Sequence, residues 1–216
     1  MTNEEQSLLE TAHETLGRLT QRRKSHLSIS SGEGAVLREV ILYRVVAMAG
    51  GAIVNWNTGN VLCSFLSARA LFETFAFLWD YDRAINEARK AGTLAEFRKL
   101  IANRLAATRN PKRIEQNPEW GSTNILTAIG RLSEQHPWAK NAYDLMSYRC
   151  HPNTEGMFET FADLDPRHRH SQILRTQRHH RATGWAFRLI LAITHLVTDA
   201  EQLFNKLEEA TALRSA

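Results

Sequence analysis

A chain of 216 residues with 43% apolar and 23% charged side chains is long enough to bury a sizeable core and too hydrophobic for the disordered class. Lys and Arg number 27 against 23 Asp and Glu, a net charge of +4, which permits a polyanionic partner without requiring one. Two cysteines, Cys63 and Cys150, make neither a disulfide framework nor a zinc quartet and favour a reducing compartment.

The opening stretch MTNEEQSLLE is acidic where a signal peptide is basic and then apolar, so the cytoplasm is the expected location. Leu8, Leu9, Ala12, Leu16 and Leu19 recur at helical spacing and predict an amphipathic helix over residues 4–27. SISSGEG (28–34) closes it, and a second helix runs over 35–55 to the turn-forming NWNTGN around Gly59. Its most hydrophobic run, 41–54, covers 14 residues and includes Arg44, short of the roughly 20 apolar residues of a membrane span. It reads as a buried core helix, and no membrane association is expected.

A third, very apolar helix follows over 60–90. TLAE (93–96) has the form of a capping box and opens a fourth helix, to about residue 108. The polar segment 109–122, with Pro111, Pro118 and Gly121, reads as a loop and a weak candidate boundary. A fifth helix covers 124–135, and Pro137 suits the first turn of a sixth over 137–151. Residues 152–170 read as irregular. A last helix over 171–210 would be about 60 Å long unless Gly184 bends or breaks it. No stretch alternates apolar and polar residues over a strand's length, and nothing repeats. The expected architecture is therefore all-α: one domain, a bundle of six or seven helices with a long C-terminal helix.

Two constellations carry chemistry. In SARALFETFAFLWD, Arg69 and Glu73 stand one helical turn apart beside an apolar stripe, where a charge is costly unless paired. They read either as a half-buried structural pair or as part of a site. In YDLMSYRCHPN, Tyr143, Ser147 and His151 follow at four-residue steps and share one helix face, which Pro152 then ends. That ladder is either a helix terminus capped by His151 or, if it packs on Arg69 and Glu73, a polar pocket inside the bundle. No strand-to-helix nucleophile elbow accompanies Ser147, which argues against a Ser–His hydrolase.

A third feature is the basic block of residues 166–188, with six arginines, four histidines and no carboxylate. Arg175, Arg178 and His179, joined by Arg181, form a patch suited to phosphates on a helix, or else a solvated face. Asp163, Asp165, His168, His170, His179 and His180 lack the spacing of metal-ligand pairs, so neither metal nor cofactor is expected.

SARALFETFAFL followed by YDLMSYRCHPNTEG resembles the Arg-x3-Glu and Tyr-x3-Ser-x3-His-Pro-Asn pattern of a bacterial all-helical family of unknown function that is similar to HEPN domains. The resemblance spans residues 35–200. It implies a helical bundle, often a homodimer, in the orbit of toxins and RNA cleavage without metal. HEPN ribonucleases carry Arg-x4-6-His, and this chain departs from that pattern because Arg149 precedes His151 by only two positions. Arg131/His136, Arg175/His180 and Arg188/His195 have permitted spacings, though with nine histidines about two to three such matches arise by chance.

Three functions follow as expectations. The first is a metal-independent endoribonuclease or toxin-type RNA-acting protein. The second is a non-enzymatic module binding nucleic acid or a protein through the basic block. The third is a small-molecule pocket lined by Arg69, Glu73, Tyr143, Ser147 and His151, with walls from Trp56 or Trp79.

Overall fold

The computed structural model describes residues 2–23, 33–91, 94–122, 124–165, 170–173 and 185–212. It is an all-α bundle. In chain order the helices are α1 (Asn3–Arg22), α2 (Glu33–Asn57), α3 (Val61–Ala91), α4 (Leu94–Ala106), the short α5 (Pro111–Gln116), α6 (Ile125–Gln135), α7 (Trp138–Cys150), a single turn α8 (Glu159–Phe161) and α9 (Trp185–Ala212). Two four-residue strands, β1 (Ala162–Asp165) and β2 (His170–Ile173), pair antiparallel as a small ribbon between α8 and α9.

The helix ends have local causes. α1 begins with a capping box in which the Glu5 amide donates to the Thr2 hydroxyl and the Thr2 amide to the Glu5 carboxylate. α2 ends in a Schellman turn. The Gly59 amide donates to the Trp56 carbonyl and the Asn60 amide to the Asn55 carbonyl, and Gly59 holds φ 79°, a backbone region that glycine enters without a Cβ penalty. Asn60 then starts α3 at once, its carbonyl accepting from the Ser64 amide. This tight reversal lays α2 and α3 side by side, and a Cβ on Gly51 would come within 3.2 Å of the Ser67 hydroxyl. The Ser64 hydroxyl donates to the Ala52 carbonyl across the same seam.

α3 is the axis of the bundle, packing on α2, α4, α6, α7 and α9. Phe65, Ala68, Leu71, Phe72, Phe75, Leu78 and Tyr81 from α3 are all buried, in one core cluster with α1, α2, α4, α6, α7 and α9. Residues Val61–Glu87 are long and apolar enough to cross a membrane, yet more than half of their most apolar window is buried against neighbouring helices. A stripe that protein already covers reads as the bundle's own core.

Asp80 ties the lower part of the bundle together. Its carboxylate is 1% exposed and accepts from Arg83 of its own helix at 3.0 Å, from Arg104 of α4 at 2.7 Å and from Arg131 of α6 at 3.0 Å. Burial pushes the Asp80 carboxyl up, and the three guanidiniums reverse that and hold it below its usual range.

Three expectations change here. Residues 171–173, read as the start of the last helix, belong to strand β2, and α9 as described spans Trp185–Ala212, 28 residues or about 42 Å. Where the 152–170 stretch is described it holds a wide helical turn at Thr154–Phe158, α8 and β1. The polar segment 109–122 closes on itself. α5 fills it, the Thr108 amide donates to the Trp120 carbonyl at 2.8 Å, and the Ser122 amide returns to the Thr108 carbonyl at 3.0 Å. Thr93 of the expected capping box lies outside the described residues.

Candidate functional site

α7 reaches the bundle just after Pro137 and stops at His151, whose amide donates to the Ser147 carbonyl at 3.1 Å before Pro152 forbids a further turn. Ala139, Tyr143 and Met146 face the core. The four-residue ladder climbs from that buried face to the surface: Tyr143 is buried, Ser147 half-buried and His151 exposed.

Tyr143 meets α3. Its hydroxyl donates to Glu73 Oε1 at 3.1 Å and accepts from Arg69 Nη2 at 3.2 Å. The Arg69 guanidinium also lies 5.4 Å from the Tyr143 ring centroid, within reach of a cation–π contact. Arg69 Nε stands 3.3 Å from Glu73 Oε1, an ion pair without hydrogen-bond alignment, and Nε is a buried atom with no hydrogen-bond partner. Burial opposes the Arg69 charge, while the Tyr143 hydroxyl and Glu73 outweigh it and hold the guanidinium above its ordinary range. Burial pushes the thiol of nearby Cys150 up to about 11 against the pull of Arg69, which lowers its thiolate fraction.

These residues open into a cleft of about 810 Å³ between α2, α3, α6 and α7, lined among others by Arg44, Arg69, Glu73, Arg109, Tyr143, Asp144, Ser147 and His151. All five candidate residues of the two constellations therefore share one cavity, with a hydrogen-bonded bridge across 70 positions of sequence. Ser147 Oγ is buried there and has no hydrogen-bond partner among the described residues. Arg44, positioned by an Nε hydrogen bond of 2.9 Å to Thr74, adds a second guanidinium and Arg109 a third. Against them stand Glu73 and Asp144, the latter 2.8 Å from Lys140. The balance suits an anionic ligand. Asn124, the N-cap of α6, closes the far rim.

His151 is held by the turn that follows it. The Asn153 amide donates to the His151 carbonyl at 2.9 Å, and the Gly156 amide to Asn153 Oδ1 at 2.8 Å. Gly156 sits directly on that carbonyl, so a Cβ there would overlap the His151 oxygen and come within 2.9 Å of the Arg149 oxygen. Arg149 itself is 3% exposed, buried where its neighbour in the motif is exposed.

The other expectations separate. Trp56 is buried in the core, and neither it nor Trp79 lines the cleft, whose aromatic walls are Phe77 and Tyr143. Arg131 is held by Asp80, while His136 packs edge-on to Trp79 and tilted against Trp138. Arg188 and His195 line a different cleft, with Asp199. Arg175, Arg178, His179 and Arg181 lie outside the described residues, as does Arg175/His180. Among the described residues no three His, Cys, Asp or Glu side chains stand together as a metal site.

Sequence reasoning missed Arg44, Arg109 and Asp80 as participants. Arg44 carried a signal, a charge inside the most apolar run of the chain, where burial demands a partner. Arg109 carried none. Comparison with protein-family models, curated proteins and solved structures gave no match.

Proposed function

We propose that this bundle acts on RNA in the cleft between α2, α3 and α7, as a metal-independent endoribonuclease of the HEPN-like kind. The observation that supports it is the meeting of Arg69, Glu73, Tyr143, Ser147 and His151 in one arginine-rich cavity. An imidazole both takes and gives a proton near neutral pH, and His151 stands exposed at the rim, where it can exchange one with solvent. In this reading His151 removes the ribose 2′-hydroxyl proton. The freed oxygen attacks the adjacent phosphorus, and the 5′-oxygen departs, taking a proton from water or from the imidazolium. The products are a 2′,3′-cyclic phosphate and a 5′-hydroxyl. Arg69, with Arg44 and Arg109 near it, answers the charge that builds on the phosphorane, and Tyr143 and Glu73 fix the Arg69 guanidinium.

The same reading makes the protein cytoplasmic and a homodimer. Val36, Val40, Tyr43 and Val54, exposed along α2, support self-association.

The test is incubation of the purified protein with RNA in EDTA, read on a denaturing gel. Cleavage is expected, reduced about a hundredfold or more in His151→Ala and by a smaller factor in Tyr143→Phe, which loosens Arg69. Intact RNA, or cleavage unchanged in His151→Ala, overturns the proposal. A second reading rests on Ser147 Oγ and Arg69 Nε, buried without a hydrogen bond among the described residues, and on a volume typical of small-ligand sites. It makes the cavity a non-catalytic pocket for a phosphate-bearing small molecule. Nucleotides that raise the Tm of the wild type but not of Arg69→Gln, with RNA left intact, would favour it.

A further inference from the structure

α7 has a second working face. Trp138, Ala142 and Leu145 lie on the side opposite the Tyr143 ladder and line a cleft of about 450 Å³ against α9, a volume in the class of small-ligand sites. α7 and α9 each pack on α3, whose buried Phe65 floors the gap between them. From α9 come Arg188, Ala192, His195 and Asp199, at steps of four, three and four residues, which places them on one side of that helix.

The charges along this stripe are not equivalent. Arg188 is engaged with a partner of its own and stands roughly 16 Å along the helix from Asp199. Asp199 is half-buried. It feels the electrostatic pull of His195, one turn earlier, and of His136 at the end of α6, and accepts no hydrogen bond among the described residues. Burial pushes its carboxyl above the ordinary range, and the two imidazoles, both exposed, do not cancel that push. The cleft therefore holds a carboxylate short of a cation.

The walls narrow which cation. His136 stands within electrostatic reach of Asp199 and 6.3 Å from the Trp138 ring, so the indole and the carboxylate share one end of the cleft. Phe72 holds that indole edge-on at 6.1 Å, and Trp138 keeps 40% exposure, which leaves ring surface for a cation–π contact. Ala142 and Ala192, one from each helix, leave a gap that a larger side chain would fill, with room for a flat ring. The seven positions from Ala192 to Asp199 rise about 10 Å along α9, the span of a ring, a short alkyl tether and an ammonium hydrogen-bonded to a carboxylate.

The geometry points to a second binding site, between α7 and α9, for an arylalkylamine whose ring enters the Ala142/Ala192 gap and whose ammonium meets Asp199 beside Trp138. It is independent of any chemistry in the Tyr143 cleft. No bond is made or broken there.

Calorimetric titration of the full-length protein at pH 8 with tryptamine, and with tryptophol as the uncharged isostere, tests the site. That pH lies above the range in which a solvated imidazole carries charge, which leaves Asp199 to the ammonium. Tryptamine is expected to bind the wild type more tightly than tryptophol by about tenfold or more. Asp199→Asn should erase that difference while leaving tryptophol binding unchanged. Ala192→Phe and Ala142→Leu should each weaken both ligands by about tenfold or more, with circular dichroism confirming that every variant is folded. Absence of tryptamine binding, equal affinity for tryptophol, an amine preference that survives Asp199→Asn, or full binding by either folded filled variant overturns the assignment.

Discussion

Replacing Asp80 by Asn keeps its shape and removes the one charge that three arginines share. The carboxylate is 1% exposed, and Arg104, its 2.7 Å partner, has a side chain only 14% exposed. Arg83 and Arg131 are 30% and 41% exposed, so water screens most of their loss, and each contributes no more than about 1 kcal/mol. Arg104 is different, since breaking a buried pair from one side costs about 3–5 kcal/mol. Water still reaches part of the cluster, so we expect Asp80→Asn to destabilise the fold by about 3 kcal/mol, a Tm lower by roughly 6–12 °C for a chain of this size. Urea unfolding at pH 7, followed by circular dichroism, measures it, with Arg131→Gln as the control expected to cost under about 1 kcal/mol. A loss under about 1 kcal/mol in Asp80→Asn, or a larger one in Arg131→Gln, would refute the reasoning. The pH dependence has a definite sign. The folded carboxyl titrates below its unfolded value, so the Asp80 contribution is fully present above about pH 4 and fades as pH falls through the lower folded value. Wild type and Asp80→Asn should converge in stability as the solution is acidified.

Two further outcomes follow from the site. Gly156→Ala forces a Cβ onto the His151 and Arg149 carbonyls and should destabilise by about 1–3 kcal/mol, seen as a lowered Tm, and cut RNA cleavage in EDTA by displacing His151; unchanged stability would mean that the turn relaxes freely. Cys150, with its thiol raised to about 11, should react with Ellman's reagent at pH 8 about a hundredfold more slowly than an ordinary cysteine. Rapid modification of Cys150 in a Cys63→Ala protein would contradict its burial beside Arg69.

Much of the helical frame was readable, α1 from its local periodicity and α2 and α3 from long apolar runs bounded by turn-forming residues. Leu9, Ala12 and Leu19 of α1 are buried where their spacing places them, and the α2 and α3 limits fall within two residues of those expected. The ribbon was not readable. ADLD and HSQI show no strand alternation, and their pairing is a contact between segments, visible only once both are placed. The Asp80 cluster hid for the same reason. Arg83 lies three residues away and reads as a helical pair, but Arg104 and Arg131 arrive from 24 and 51 positions later. The Tyr143 bridge was accessible as a conjecture because two costly polar groups on apolar helices invite one another. Arg44 was visible as an anomaly and Arg109 was not visible at all, since an arginine in a polar segment looks like any solvated charge.

The Phe72 ring lies 6.1 Å from that of Trp138 and 5.8 Å from that of Tyr143. This one α3 side chain thus touches an aromatic residue from each of the two clefts. Trp138 is half open to solvent and its neighbour Tyr143 answers to Arg69, so the molecule carries its own optical gauge. A ligand that moves Tyr143 should alter the emission of an indole it never meets, and the difference between wild type and Trp138→Phe isolates that signal without any label.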